Sequence, residues 1–269
     1  MKRVHYTDPY LLNPQNPVTV NLIGAGGTGS RVLTILAQLN HALLTLGHAG
    51  LQVRVWDDDT VSEANLGRQL FAPSEVGYNK GVALVERVNR FFGTYWTAMT
   101  CQFSKHDLDR LQTTNAEDGA NLYISAVDTV AARMEIASLI HRQKAGNNQY
   151  QKTHKPMYWL DFGNNHQSGQ AILGSVGTIQ QPDSTRYEPV GDLPFVTTEF
   201  GDVLSKSETE DTGPSCSLTE ALTKQDLLIN PIVADLGCQF LWNLFRKGYT
   251  EHRGVFVNLS SLRTQPLLV

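Results

Sequence analysis

Val55-Trp56-Asp57-Asp58-Asp59-Thr60-Val61-Ser62-Glu63-Ala64-Asn65-Leu66-Gly67-Arg68-Gln69 is the stretch on which the reading of this chain turns. Leu51, Val53 and Val55 alternate with Gln52 and Arg54, which predicts a strand. That strand runs into three consecutive aspartates. A carboxylate at such a strand end is where a mononucleotide-binding sheet holds a ribose hydroxyl. Asn65, Arg68 and Gln69 follow at short helical spacing, so Asn65 and Arg68 are expected to share a face. An amide and a guanidinium beside a ribose site suit a polyphosphate. The ordinary alternative is an acidic turn followed by a solvated helix.

Working outward, Val18-Thr19-Val20-Asn21-Leu22-Ile23 reads as a buried strand. It is followed by Gly24-Ala25-Gly26-Gly27-Thr28-Gly29-Ser30 and by a helix whose apolar face carries Val32, Ile35, Leu36, Leu39 and Leu43. Strand, glycine turn and helix together put backbone N–H groups at a helix start, where anions bind. Gly24, Gly26 and Gly29 also satisfy the dinucleotide fingerprint, so this loop alone does not separate ATP from NAD. Lys80 opens a helix running to about Phe92, where a lysine opposes the helix dipole. Its local preference is thus violated, which points to a phosphate; a solvated helix lysine is the plainer reading. Leu122-Tyr123-Ile124-Ser125 reads as a strand with Asp128 just past its end. Spacing leaves Asp128 open between capping the helix from about Thr129 to Lys144 and facing a ligand beyond the strand ends.

These pieces, taken together, resemble a family. The run Gly24-x-Gly26-Gly27-x-Gly29-Ser30, Asp57-x-Asp59-x-Val61, Asn65-Leu66-x-Arg68-Gln69 and Val76-Gly77-x-x-Lys80 is similar to ThiF, MoeB and HesA and to the adenylation domain of ubiquitin-activating enzymes. The resemblance is strongest from Val20 to Arg133. Pro214-Ser215-Cys216-Ser217-Leu218 and its continuation to Leu222 look most like the ThiF-type member of PRTRC cassettes. The resemblance implies ATP-dependent adenylation of the C-terminal glycine of a small ubiquitin-like, β-grasp protein. It assigns phosphate binding to Gly24, Gly26, Gly27 and Gly29 and ribose binding to Asp57, with Asp59 supporting that turn. It assigns the polyphosphate to Asn65, Arg68, Gln69 and Lys80, and Mg²⁺ to Asp128, which tips the choice at Asp128 towards metal. It further implies a homodimer, a conjugating-enzyme-like partner and a thioester on Cys216. Cys216 stands after a long irregular run and before a helical pattern, where a thiolate is favoured.

The chain departs from the family in two places. The Arg-Tyr-x-Arg-Gln motif of the N-terminal arm is absent, and Arg3 is a poor substitute for its arginine. The paired cysteines that hold zinc in several members are also missing, so no zinc site is expected from Cys101, Cys216 and Cys238.

Bulk composition sets the frame. The 269 residues are 41% hydrophobic with a formal net charge of −4, enough for one substantial core and no sign of a nucleic-acid surface. Scattered cysteines, no secretory N-terminal pattern and no membrane-spanning apolar run are consistent with a cytoplasmic location.

The expected fold is therefore α/β and Rossmann-like: a mostly parallel sheet, helices on both faces, and an antiparallel C-terminal extension. One domain is expected over residues 1–269. Residues 18–145 form its nucleotide-binding half, and residues 146–269 supply the sheet extension, crossover and C-terminal helices. Residues 1–17 read as an irregular arm, Tyr95–Phe103 as a strand, and Met157–Asp161 with Gln170–Leu173 as a hairpin turning at Gly163-Asn164-Asn165. Residues 174–213 read as loop. Two helices are expected to meet at a break at Asn230-Pro231. The rival readings are an NAD-dependent oxidoreductase, which leaves Asn65, Arg68 and Lys80 without work, and a non-catalytic scaffold.

Overall fold

The structure, a computed structural model, describes residues 1–111, 118–146, 153–202 and 225–269. Its central strand is β2 (Val18–Ile23), buried along its whole length. A strand covered on both faces reads as a continuous apolar run, as this one does apart from Thr19 and Asn21. Thr19 shares hydrogen bonds with Asn121, and Asn21 accepts from Trp56 Nε1 at 3.1 Å, so both polar groups are satisfied inside.

On one side β2 pairs in parallel with β3 (Leu51–Trp56), which pairs with β4 (Thr97–Met99). On the other it pairs in parallel with β5 (Leu122–Ser125), which pairs with β6 (Tyr158–Asn164). The sheet then turns antiparallel through β7 (Ser168–Ser175), β10 (His252–Asn258) and β11 (Arg263–Leu268). The eight-stranded order is β11-β10-β7-β6-β5-β2-β3-β4. The chain builds outward through β2, β3 and β4, then returns to the other side with β5. The order reverses between β2 and β5, and in open α/β sheets that crevice beyond the strand ends is where ligands sit. The mixed α/β class with its antiparallel C-terminal part is as expected.

Helices cover both faces. On one, α2 (Gly27–Thr45), α3 (Lys80–Phe92) and α7 (Ile229–Lys247) enclose a core that includes Val20, Leu22, Val53, Leu36, Val85 and Leu241. On the other, α5 (Val130–Gly146) packs Ile136 and Ile140 into a core with Trp56, Tyr123 and Trp159. β3 splits its side chains between the two, as its alternation predicts.

Several local expectations are corrected. Residues 1–17 are not an irregular arm: Lys2–Tyr6 is β1, followed by α1 (Pro9–Leu12). β1 sits in a second sheet of order β8-β1-β9, parallel to β8 (Tyr187–Pro189) and antiparallel to β9 (Tyr249–Thr250). Its partners come from far along the chain, so no local pattern announced it. Residues 174–202 are likewise not plain loop, since they hold β8 and the short α6 (Val196–Glu199), while residues 203–213 of the expected loop lie outside the described residues. The strand expected over Tyr95–Phe103 shrinks to Thr97–Met99, and the following α4 (Lys105–Leu111) went unread. The break expected at Asn230-Pro231, between helices over 214–230 and 231–247, does not fall there: both residues lie in the first turn of α7, and residues 214–224 of the first expected helix lie outside the described residues. A proline is tolerated there because first-turn N–H groups have no intrahelical acceptor. The turn after β6 starts two residues late, at Asn165, whose backbone N–H donates to Ser168 O at 2.8 Å. That leaves Asn164 on the strand.

Candidate functional site

A cavity of about 370 Å³ opens beyond the ends of β2 and β5 at the order reversal. Its floor is the glycine turn. Gly24 has φ +94°, and a Cβ there would sit 2.5 Å from the Ala126 carbonyl oxygen. A Cβ on Gly29 would collide with the Gly24 carbonyl oxygen, so Gly29 closes the turn on itself. A Cβ on Gly27 would fall 2.6 Å from the Asn230 amide nitrogen, whereas one on Gly26 would meet nothing within 4 Å. Gly24, Gly26 and Gly27 line the cavity, and Gly29 stands behind them.

Asp57 ties this turn to the end of β3. Its Oδ2 accepts the Ala25 backbone N–H at 2.6 Å and its Oδ1 that of Asp59 at 3.0 Å. Burial pushes the Asp57 carboxyl above its ordinary range, against the pull of the Ala25 N–H and of Lys80. Lys80 begins α3 with its side chain largely buried, and its Nζ donates to Asp59 Oδ2 at 2.7 Å. Asn79 caps the helix by accepting from Val82 N–H at 3.0 Å. It also donates to the Asp57 carbonyl at 2.7 Å, which fixes the aspartate run against the helix start.

The expected sharing of a helical face by Asn65 and Arg68 is not what forms. Glu63–Asn65 is one 3-10 turn. Asn65 turns back, and its Oδ1 accepts from Ser62 N at 2.9 Å and from Ser62 Oγ at 3.1 Å. A short polar side chain three residues past a serine satisfies the turn's own N–H groups better than a distant site. Asn65 accordingly does not line the cavity, while Arg68 and Gln69 do. Arg68 Nη1 donates to Gln225 Oε1 at 2.6 Å, and its Nε and Gln69 Oε1 are buried without a partner among the described residues. Burial lowers the Arg68 pKa, and the negative charge of Asp128 opposes that.

Asp128 is exposed on the cavity wall. The capping role falls to Thr129, whose hydroxyl accepts from Ala132 N–H at 3.2 Å. The turn bearing Asp128 is clamped from behind by Arg133, which is 5% exposed. Its guanidinium donates to Val127 O at 2.6 Å, Phe162 O at 3.0 Å and Asp161 Oδ2 at 3.2 Å. Asp161 also accepts from Ser125 Oγ at 2.6 Å; burial raises its pKa and Arg133 holds it down.

The remaining wall was not foreseen from sequence. Thr28, Asn164, Gln225 and Asn230 line it, with Asp58, Gln102, Ser104 and Glu135 at the opposite rim. Gln102 Nε2 donates to Asp58 Oδ2 at 2.9 Å. Asn164 was hidden by its assignment to a turn and Asn230 by its assignment to a helix break. Cys216 lies outside the described residues. Arg3 stands on β1 beside Glu188, 3.9 Å away, and does not line the cavity. Among the described residues no three His, Cys, Asp or Glu side chains gather as a metal site, and no helix is long and apolar enough to cross a membrane.

The sequence pattern of the ThiF family matches residues 16–247. No curated protein matches the chain. Among solved structures, the chain is similar to PaaA at 14% identity and a TM-score of 0.61, covering 94% of this chain and 73% of that one. It is similar to Escherichia coli MccB at 14% identity and a TM-score of 0.60, covering 96% of this chain and 63% of MccB. A structure of MccB with ATP aligns at 15% identity with a TM-score of 0.56, over 96% of this chain and 64% of that one. The chain thus spans less than two thirds of the length of MccB, and at these identities the likeness establishes the fold.

Proposed function

The chain belongs to the ThiF family, and from that premise we propose that it is an E1-like adenylating enzyme that uses ATP to activate the C-terminal carboxylate of a small ubiquitin-like protein. The observation that carries this reading is the convergence of Arg68, Lys80, Asp57 and Asp128 with the open Gly26 on one cavity at the reversal of strand order.

A carboxylate is a poor acyl donor, because oxide is a poor leaving group. Attack of its oxygen on the α-phosphorus of ATP forms an acyl-phosphate linkage and expels pyrophosphate. The enzyme's task is positioning and charge neutralisation. In this reading residues 18–145 hold the nucleotide and residues 146–269 complete the domain. The N–H groups at the start of α2 and the guanidinium of Arg68 take phosphate oxygens. Lys80 exchanges the exposed Asp59 carboxylate for phosphate. Asp57, already anchored by two backbone N–H groups, faces the ribose. Gln69 lies alongside Arg68, and Asn65 shapes the turn that delivers both.

Two features of the cavity suit a polyanion: a buried Arg68 Nε without a partner among the described residues, and room above Gly26. One exposed carboxylate also fits the usual way Mg²⁺ is held, by one or two carboxylates plus substrate phosphates. When bound, the ion would neutralise phosphate charge, and Asp128 would hold it.

Two further parts of the reading rest on family resemblance. One is transfer of the acyl group to Cys216 as a thioester, with a conjugating-enzyme-like acceptor beyond it. The other is a two-fold homodimer. Cys216→Ala should keep ATP–pyrophosphate exchange and lose an adduct with the partner protein that added thiol cleaves by acyl exchange. Light scattering at micromolar concentration should return twice the chain mass.

The test of the whole reading is a thermal shift with ATP and Mg²⁺ against NAD, followed by ATP–pyrophosphate exchange with the partner protein. Stabilisation by ATP alone is expected, since a ligand that binds only the folded state raises its apparent stability. Stabilisation by NAD with no response to ATP would overturn the reading in favour of an oxidoreductase.

A further inference from the structure

Three carboxamides on the cavity wall form a closed ring. Asn164 Nδ2 donates to Asn230 Oδ1 at 2.6 Å, Asn230 Nδ2 to Gln225 Oε1 at 3.0 Å, and Gln225 Nε2 to Asn164 Oδ1 at 3.0 Å. Thr28, in the first turn of α2, braces the ring. Its hydroxyl donates to Asn230 Oδ1 at 2.9 Å and accepts from Asn164 Nδ2 at 3.0 Å. A fourth strand of chain enters through Arg68, whose Nη1 donates to Gln225 Oε1. The ring fixes each amide's orientation, because reversing any one would set donor against donor or acceptor against acceptor.

The composition of the ring is the telling feature. Every member is neutral. The other cation lining the cavity, Lys80, is paired with a carboxylate, whereas Arg68 makes no ion pair among the described residues. A partly buried arginine is commonly held by a carboxylate in a two-bond fork. Such a partner would fix its direction and also cancel its charge. A neutral carbonyl oxygen fixes the direction alone, and its own orientation is secured by the ring. Lys80 can afford a carboxylate because Asp59 is 67% exposed, so water screens the pair and a phosphate can displace it.

We propose that Gln225, held by Asn164 and Asn230, is a positioning residue that aims the Arg68 guanidinium at a polyphosphate while bringing no charge of its own to cancel it. The ring also references Arg68 to Thr28, so the guanidinium and the N–H groups at the start of α2 are set relative to each other. This rests on the nucleotide reading above and adds to it why the anchor is an amide. Glutamate at 225 would still accept from Arg68 and Asn230. It would neutralise the guanidinium in a half-buried setting and leave Asn164 Oδ1 facing an acceptor.

The experiment uses the full chain and two probes, inorganic tripolyphosphate and ATP with Mg²⁺, read by thermal shift. ATP–pyrophosphate exchange supplies a separate readout. Gln225→Glu trades its hydrogen bond to Asn164 for an ion pair with Arg68, so its Tm without ligand should stay close to that of wild type. Its half-saturating tripolyphosphate concentration should rise by about tenfold or more, and its KM for ATP should rise more than its kcat falls. A merely structural Gln225 would give the opposite pattern: a lowered Tm and unchanged tripolyphosphate affinity, which overturns the proposal. Should Gln225→Glu fail to fold, Gln225→Met decides, as it keeps the length and offers no acceptor. A rise of about threefold or more in half-saturation supports the proposal and no change overturns it. A wild type that responds to neither probe removes the nucleotide reading itself. A wild type that responds, with variants responding equally, removes only the role of Gln225.

Discussion

Lys80 Nζ lies 2.7 Å from Asp59 Oδ2, with the lysine side chain 10% exposed and the aspartate 67% exposed. The asymmetry means the cation is held by the fold and the anion is replaceable. Lys80→Met should therefore abolish or reduce ATP-dependent exchange by about a hundredfold, in line with loss of a charged contact to a reacting phosphate. Asp59→Asn should change stability by less than about 1 kcal/mol, as expected of a pair with one partner in water. Exchange kinetics and urea unfolding of both variants check this.

Asp128 and Thr129 are adjacent and divide two jobs. Asp128→Ala should leave Tm unchanged and remove the Mg²⁺-dependent part of ATP stabilisation. Thr129→Ala should cost about 1 kcal/mol through the lost cap and leave the Mg²⁺ dependence in place. A reversed pattern would mean that Asp128 is the structural residue.

Gly26 and Gly29 should respond oppositely to alanine. A Cβ on Gly29 collides with the Gly24 carbonyl oxygen, so Gly29→Ala should not accumulate as folded protein. A Cβ on Gly26 meets nothing within 4 Å, so Gly26→Ala should unfold within about 2 °C of wild type. Its methyl would stand in the cavity, so the ATP-induced shift should shrink or vanish.

The Arg133–Asp161 pair is buried on both sides. Arg133→Met should destabilise the protein by about 3–5 kcal/mol, because it strands the Asp161 carboxylate. Arg133→Met combined with Asp161→Leu should recover much of that loss in chemical denaturation. Recovered stability without recovered exchange would show how far the turn bearing Asp128 depends on the guanidinium's carbonyl contacts.

His5 is fully buried, with Nδ1 2.6 Å from Val190 O and Nε2 2.9 Å from the Tyr158 hydroxyl. A carbonyl only accepts, so Nδ1 carries the proton of the neutral ring. Burial lowers the His5 pKa below 6.5, opposed by the Val190 hydrogen bond and by Asp192. The unfolded chain therefore takes up this proton first as pH falls, and stability is lost from about pH 6.5 downward. Asp57 and Asp161, raised by burial, act in the other direction at lower pH. Tm measured from pH 7.5 to 5 should fall less steeply in His5→Gln than in wild type; parallel profiles would remove His5 as the source.

The sequence by itself determined the parallel half of the sheet and the place of the cavity. β2, the glycine turn, β3 with its aspartates, and Lys80 at a helix start are each written within a span of about ten residues. There, side-chain periodicity and turn chemistry act directly on the local backbone. The same short-range logic misjudged Asn65, where helical spacing lost to a turn that consumed its own amide. Tertiary structure alone decided what depends on residues far apart in the chain. β1 finds its partners at Glu188 and Thr250. Asn164 and Asn230 left the turn and the break that local rules gave them and closed a ring with Gln225. That ring joins Arg68 across 157 residues of sequence. A hydrogen bond between side chains depends on the final distance and angle between two groups. Nothing within either local segment encodes that geometry until the sheet has brought the segments together.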